Sequence, residues 1–323
     1  MRIALLGFGH VGRALARLLL DLGDRHPFVV TAIVTGRHGN VIDARGIDLH
    51  QALLRDTFGG GSPIPVTMLD ADAVVDVTPL DARTGGPGLA YVRDALASGK
   101  HVVTANKGPL ALAYRELDSL ARERGVLLRF EATVADCLPL FDLARAALPL
   151  AEIRSIRGVL NSTTNGILSA AARGVPFGDA LADAQRYGIA EADPRNDLEG
   201  WDAAAKAAIV ANVLMGADLT PLDVARTPIG ENAAEMAREA VKLGERVRPV
   251  VELVRDGATV RASFGPVRLE PLDPLYAVDG FSMGAVLETD LAGRVAVQLH
   301  EPDLAQTAYA VLTDLLEIAA VRP

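Results

Sequence analysis

RIALLGFGHVGRALARLLLDL, residues 2–22, is the stretch on which the fold turns. Residues 3–6 are apolar without a break, as in a short buried strand, and residues 10–22 return apolar side chains at helical spacing. Between them Gly7-Phe8-Gly9-His10-Val11-Gly12 fits G-x-G-x-x-G. Alone, that spacing also fits a plain structural turn. Directly after a strand and opening a helix, it has the context of a dinucleotide-phosphate loop. The first glycine makes the tight turn, the second lets a pyrophosphate approach the backbone, and the third lets helix and strand pack closely. Phe8, His10 and Val11 fill the loop between them, at a helix N-terminus whose free N–H groups suit phosphate.

The same alternation continues outward. FVVTAIVT (28–35), ADAVVDVTP (71–79), HVVTANKG (101–108) and VLLRFEATV (126–134) read as strands, while 88–100 and 113–125 read as helices. This predicts an α/β chain with a Rossmann-type doubly wound parallel sheet over residues 1–133. From about residue 134 the pattern changes. EIRSIRGVLN (152–161) is strand-like, 164–217 is mainly helical with loops at 173–178 and 188–200, and 245–255, 258–270 and 284–300 alternate with period two. An α+β catalytic and dimerisation domain is therefore expected over 134–302, with a final helix, 303–323, packing back on the first domain.

The chain has 323 residues, a formal charge of −9 and one cysteine, Cys137. Acidic balance argues against nucleic acid as partner, and no run of 18 apolar residues suggests a membrane span. One cysteine leaves no intramolecular disulfide, which fits a reducing cytoplasm. Most basic residues are arginine; lysine occurs only at 100, 107, 206 and 242. Because burial lowers a lysine's pKa readily and an arginine's hardly at all, each lysine here invites a specific task.

Two further segments carry chemistry. Asn161 to Asn165 are five consecutive polar residues at a strand-to-helix transition, more than capping alone requires. GIAEADPRNDLEGWDAAAK (188–206) gathers Glu191, Asp193, Asp197, Glu199 and Asp202 ahead of Lys206. Acids favour helix N-termini, which accounts for Glu199 and Asp202 but not for the earlier three. Asp202 and Lys206 lie four apart on one helix face, ordinarily a weak exposed pair. Yet the helix is apolar nearly all round, so it is expected to be buried and its lysine to need a carboxylate or a proton-transfer role.

An NAD site usually has an acid at the end of the second strand to bind the ribose diol. Here that end reads Val34-Thr35-Gly36-Arg37-His38-Gly39, without an acid. Arg37 is suited to a 2′-phosphate or is a solvated surface residue, and the reading favours NADP(H) over NAD(H).

With these residues in view, the chain resembles the homoserine dehydrogenases, in the short form without a C-terminal regulatory domain. HVVTANKGPLAL is similar to the family's T-A-N-K block, VLNSTTNGIL to its N-G-T-T-N block, and residues 188–206 to its G-Y-x-E-x-D-P-x-x-D-x-x-G-x-D-x-x-x-K. The resemblance implies an NADPH-dependent reduction of aspartate 4-semialdehyde to homoserine by a homodimer. It implies Lys206 as proton donor with Asp202 beside it, and Lys107 between nicotinamide and substrate. Glu191, Asp197, Thr163 and Ser162 are implied as substrate contacts, and Thr78 with Pro79 as cofactor contacts. It also implies a monovalent cation, Na+ or K+, held near Glu131 and Val134. Ala135, Asp136 and Cys137 stand where the family has glycines, and LHEPDLAQTA replaces a glycine-rich stretch before the last helix.

Two rival readings remain at this point. Gly280-Phe281-Ser282-Met283-Gly284 fits a hydrolase elbow, G-x-S-x-G, with Asp290 and His300 following, but the elbow needs a helix after the serine. The other rival is a non-catalytic or redirected paralogue that keeps the fold and binds nucleotide.

Overall fold

A computed structural model describes residues 1–59, 64–81 and 84–321. The chain forms two compact units, residues 1–137 with 303–323, and residues 138–302.

In the first unit the strands are β1 (Arg2–Leu6), β2 (Val29–Val34), β3 (Asn40–Ile42), β4 (Ala73–Asp76), β5 (His101–Thr104) and β6 (Leu128–Arg129). They form one sheet in the order β3-β2-β1-β4-β5-β6. All pairs are parallel except β2–β3, where Ala32 faces Ile42 across an antiparallel ladder. Helices α1 (His10–Leu22), α2 (Leu49–Leu53), α3 (Gly86–Ala97) and α4 (Lys107–Arg124) connect the strands. Strand order reverses between β1 and β4, and in open α/β sheets a ligand crevice forms at the carboxyl ends beside such a reversal. The glycine loop follows β1 there and Val77-Thr78-Pro79 follows β4.

The C-terminal helix, Leu304–Val321, belongs to this unit; the expected residues 322–323 of that helix lie outside the described residues. It is long and apolar enough to cross a membrane, but Ala308, Val311, Leu312, Leu315 and Ile318 share a core cluster with Leu15, Ala16 and Leu19 of α1. Its Asp314 is 1% exposed and accepts the Glu131 N–H at 2.9 Å. Burying the apolar stripes of two helices against each other stabilises both at roughly 25 cal/mol per Å2 of apolar surface.

The second unit has a six-stranded sheet in the order β12-β11-β7-β9-β10-β8. Its strands are β7 (Ile153–Val159), β8 (Ala225–Arg226), β9 (Arg246–Asp256), β10 (Thr259–Leu269), β11 (Met283–Thr289) and β12 (Arg294–Leu299). The pairs β7–β9, β9–β10, β7–β11 and β11–β12 are antiparallel, and β8 runs parallel to β10. The period-two stretches thus form the sheet. Helices α5 (Leu140–Asp142), α6 (Ser162–Ala172), α7 (Phe177–Arg186), α8 (Arg195–Leu198), α9 (Trp201–Met215) and α10 (Glu231–Lys242) complete the unit. Residues 188–200, expected as loop, contain the single turn of α8. Ser282 is buried and leads into β11, not into a helix, so the hydrolase elbow has no structural counterpart.

Asp136 has a left-handed backbone, with φ +51°, and its carboxylate accepts the Thr307 hydroxyl at 2.6 Å. A left-handed residue with a side chain costs roughly 1–2 kcal/mol, and a hydrogen bond to a charged group returns about 1.5–3 kcal/mol. Asp136→Gly therefore loses the bond and relieves the strain, and is expected to stay within about 1 kcal/mol of the parent. Asp136→Ala loses the bond and keeps the strain, for a loss of about 2–3 kcal/mol. Urea unfolding of the two variants checks the ranking; equal losses would refute it.

Candidate active site

Each unit carries its own cluster of functional groups. In the first, Gly7 has φ +97°, and a Cβ there would sit 2.7 Å from the Val77 carbonyl oxygen. A Cβ on Gly12 would lie 2.9 Å from the Gly7 oxygen, so glycine allows the helix to start close under the strand. A Cβ on Gly9 would meet nothing within 4 Å. That open space at a helix N-terminus is where a phosphate needs to approach, so the loop fits a dinucleotide.

The side chains of the loop divide. Phe8 is 7% exposed and turned into the core, edge-on to Phe58 at 5.5 Å with the Arg13 guanidinium 5.1 Å from its ring centre. Val11 also packs against that core, so these two have only backbone groups to offer a ligand. His10 is exposed. Beyond β2, a cavity of about 460 Å3 is lined by Thr35, Arg37, His38, Asn40, Thr57 and Tyr91, among others, and by no acidic side chain among the described residues. Arg37 is exposed at this cavity. Thr78 is held by Asp76, which accepts both its N–H at 3.1 Å and its hydroxyl at 2.6 Å; Pro79, next in the chain, is exposed. Lys107 is the first residue of α4, whose cap is Asn106 accepting the Gly108 N–H.

In the second unit, β7 delivers Leu160 and Asn161 to the N-terminus of α6. Asn161 caps that helix through Oδ1, which accepts the Thr164 N–H at 2.9 Å. Its Nδ2 donates to Asp197 Oδ1 at 2.8 Å and to Asp202 Oδ2 at 2.9 Å. Lys206 is 9% exposed on α9. Its Nζ lies 2.9 Å from Asp202 Oδ2 and donates to the Leu160 carbonyl at 2.5 Å. Ala203–Ala205 and Ala207–Ala211 are all buried around it, so this is a desolvated ion pair. Burial, and then the neighbouring Asp202, push the Asp197 carboxyl above the usual carboxylate range, against the opposing pull of Asn161, Lys206 and Thr163. A cation, two carboxylates and a bridging amide thus converge within hydrogen-bond distances, a set able to move a proton and to hold a cationic group.

Other expected residues stand differently. Thr163 is buried and donates its hydroxyl to the Ile189 carbonyl at 3.3 Å, while Ser162 starts α6 half-buried. Glu191 is exposed; Gln185 donates to its backbone carbonyl, and its carboxylate has no partner among the described residues. Glu131 and Val134 are both buried, in and just after the turn Glu131–Thr133 of the first unit. Asp193 pairs with Arg195, which draws its carboxyl down to about 2, and Glu199 accepts from the Trp201 indole at 3.3 Å. Those two acids shape the segment locally.

Asn161 was visible only as one member of a polar run; its bridge to two carboxylates depends on residues 36 and 41 positions away. Asp76 was not singled out at all, since an acid ending a strand has no local signature.

Comparison with known proteins covers both units. Residues 7–131 match the family model "Homoserine dehydrogenase, NAD binding domain", and residues 139–316 match the family model "Homoserine dehydrogenase". The homoserine dehydrogenase of Methanocaldococcus jannaschii is 38% identical, with 98% of each chain covered. An NAD(+)-dependent homoserine dehydrogenase of Pseudomonas canavaninivorans is 32% identical over 98% of this chain and 96% of its own. A hyperthermophilic archaeal homoserine dehydrogenase solved with NADPH superposes with a TM-score of 0.82 at 28% identity, covering 100% of this chain and 98% of the other. A nucleotide loop with the right open space, a buried lysine–aspartate pair and matches along nearly the whole chain lead to one conclusion: the chain belongs to the homoserine dehydrogenase family of NAD(P)-dependent oxidoreductases.

Proposed function

We propose that this enzyme interconverts L-aspartate 4-semialdehyde and L-homoserine, with NADPH as the preferred reductant. The observation that carries the reading is the buried Lys206, paired with Asp202 and tied to the Leu160 carbonyl. A reduced nicotinamide dinucleotide held at the Gly7–Gly12 loop would supply the hydride that reduces the aldehyde carbon. As charge grows on the carbonyl oxygen, Lys206 Nζ donates a proton to it, and Asp202 holds the ammonium in place. Asp197 and Thr163 orient the substrate, with Asp197 facing its ammonium group; Glu191 joins them as a further contact for that group. Lys107, at the N-terminus of α4, adds positive charge on the nicotinamide side. Following NADPH and NADH oxidation in parallel with aspartate semialdehyde tests substrate and cofactor together. A protein inert with both would refute the reading.

Cofactor preference rests on Arg37 in a cavity free of acids among the described residues, where its guanidinium suits a 2′-phosphate bidentately. Arg37→Ala is expected to raise KM for NADPH about tenfold, some 1.4 kcal/mol, and to leave KM for NADH unchanged. Equal changes for both would remove the assignment.

The buried Glu131 carboxylate and the backbone at Val134 offer hard oxygen donors of the kind a monovalent cation takes. Replacing Na+ and K+ by tetramethylammonium, with a fall in activity as the outcome, checks that role. The same reading makes the enzyme a cytoplasmic homodimer in the synthesis of threonine and methionine, and light scattering on the purified protein tests the dimer.

A further inference from the structure

Asp76 ends β4 with no exposed surface, on the side of the first unit where the loop 77–79 and the start of α4 emerge. Its Oδ1 accepts from the Thr78 hydroxyl at 2.6 Å and its Oδ2 from the Thr104 hydroxyl at 3.1 Å. Each hydroxyl is itself an acceptor. Thr78 Oγ1 takes the Asn106 side-chain amide at 3.0 Å, and Thr104 Oγ1 takes the Asn106 backbone N–H at 3.0 Å. Asn106 Oδ1 meanwhile accepts the Gly108 N–H at 3.0 Å, which fixes Nδ2 as the end turned to Thr78.

The Thr104 hydroxyl also lies 3.5 Å from the Asn106 carbonyl oxygen, but Asp76 Oδ2 at 3.1 Å is the shorter acceptor, and with its proton there donor direction is set all the way round. Both arms start at Asn106, pass through a threonine hydroxyl and end on Asp76. Only a group that accepts on both oxygens closes such a ring, and an ionised carboxylate is that group. The fold also leaves no room to rebuild it, because a Cβ on Gly88 of α3 would come 2.4 Å from Asn106 Nδ2 and 2.9 Å from Thr78 Oγ1. Burial pushes the Asp76 carboxyl up, and the bonds from Thr78, Thr104 and Asn106 pull it back. Fully satisfied buried networks of this kind rigidify what they join.

We propose that Asp76 is a positioning residue that locks Thr78 to the cap of α4, so that Thr78 and Lys107 meet the dinucleotide as one rigid element. The inference rests on the reading of those two residues as cofactor-side groups. Asp76→Asn keeps shape and volume but turns an amide N–H toward a hydroxyl proton, breaking one arm.

NADPH binding, followed by fluorescence titration without substrate, reads the effect directly. Asp76→Asn is expected to weaken NADPH at least tenfold. The weakening caused by Lys107→Ala should shrink at least threefold when Asp76→Asn is already present. If Asp76→Asn does not fold, Thr104→Val and Thr104→Ser replace it. The valine variant opens the ring and loses NADPH affinity, and the serine variant restores it. A folded Asp76→Asn that binds NADPH within twofold of the parent would overturn the proposal, as would independent effects of the two substitutions or indistinguishable Thr104 variants. Parent protein that binds NADPH yet leaves aspartate semialdehyde untouched would defeat the proposed reaction and leave this test intact.

Discussion

Lys206→Ala is expected to lower kcat by at least about a hundredfold, the lower end of what a positioned proton donor supplies, while NADPH binding stays near the parent value. Lys206 is the cation held between Asp202 Oδ2 and the Leu160 carbonyl, and no other lysine or arginine is ion-paired to Asp202 among the described ion pairs. Removing it takes the lysine cation away from two largely buried carboxylates, and breaking a buried pair from one side costs up to about 3–5 kcal/mol. Activity and folding must therefore be separated. Lys206→Arg keeps the charge, so most of the stability should return, but a guanidinium hardly gives up its proton and turnover should stay low. If Lys206→Arg recovered half of parental turnover, proton donation by Lys206 would be untenable.

The stability deficit of Lys206→Ala also has a predicted pH dependence. Asp197 already has a raised carboxyl value, for which burial is the main cause, and Lys206 opposes that rise. A raised acid stabilises the fold only while protonated, and that contribution is lost as pH climbs through its folded-state value. Without Lys206 the value rises further, so the penalty at neutral pH grows. The gap in unfolding free energy between parent and variant should then be small in acid and widen toward neutrality. Urea titrations at several pH values would show this, and a gap constant with pH would contradict it.

Substitution of Gly9 by alanine should abolish tight cofactor binding at only a small cost in stability. A Cβ there touches nothing in the protein, and Gly9 has an ordinary backbone as the cap of α1, with φ −80°. Alanine is a poorer helix cap than glycine, so the exchange costs about 1 kcal/mol. The added methyl occupies the approach of the pyrophosphate, so NADPH affinity should fall by a hundredfold or more, about 2.7 kcal/mol. Gly7→Ala should behave otherwise: with φ +97° and the Val77 oxygen 2.7 Å from the new carbon, it should lose folding stability and binding together. Thermal unfolding alongside fluorescence titration distinguishes the two variants. A Gly9→Ala protein with parental affinity would remove the loop from the binding site.

The glycine loop and most parallel strands were legible in the sequence because the signals are local: an apolar run, a turn residue, a helical stripe. The antiparallel β3 was not, since Asn40–Ile42 is too short for periodicity to register. Helix α4 starts at Lys107, inside a stretch that reads as strand, because Asn106 caps it at once. Helix α10 has the strongly one-sided pattern of an amphipathic helix, with Ala233, Ala234, Ala237 and Ala240 buried, yet alanine gives weak hydrophobic contrast in a chain so rich in it. The pairing of Asp202 with Lys206 was visible from their spacing. The bridge from Asn161 and the ring on Asp76 were not, because each joins residues brought together only by the sheet. Glu191 is legible only through its motif: its carboxylate is exposed, with no partner among the described residues.

The dinucleotide-binding unit is built from both ends of the polypeptide, with residues 138–302 inserted between its two segments. During synthesis Leu15 and Leu19 emerge early and wait uncovered until Val311, Leu315 and Ile318 have followed. A nascent chain stopped before residue 303 therefore displays a sticky helix face, which marks it for chaperones and proteolysis. The core of the dinucleotide-binding unit can close only after residues 138–302 have been made.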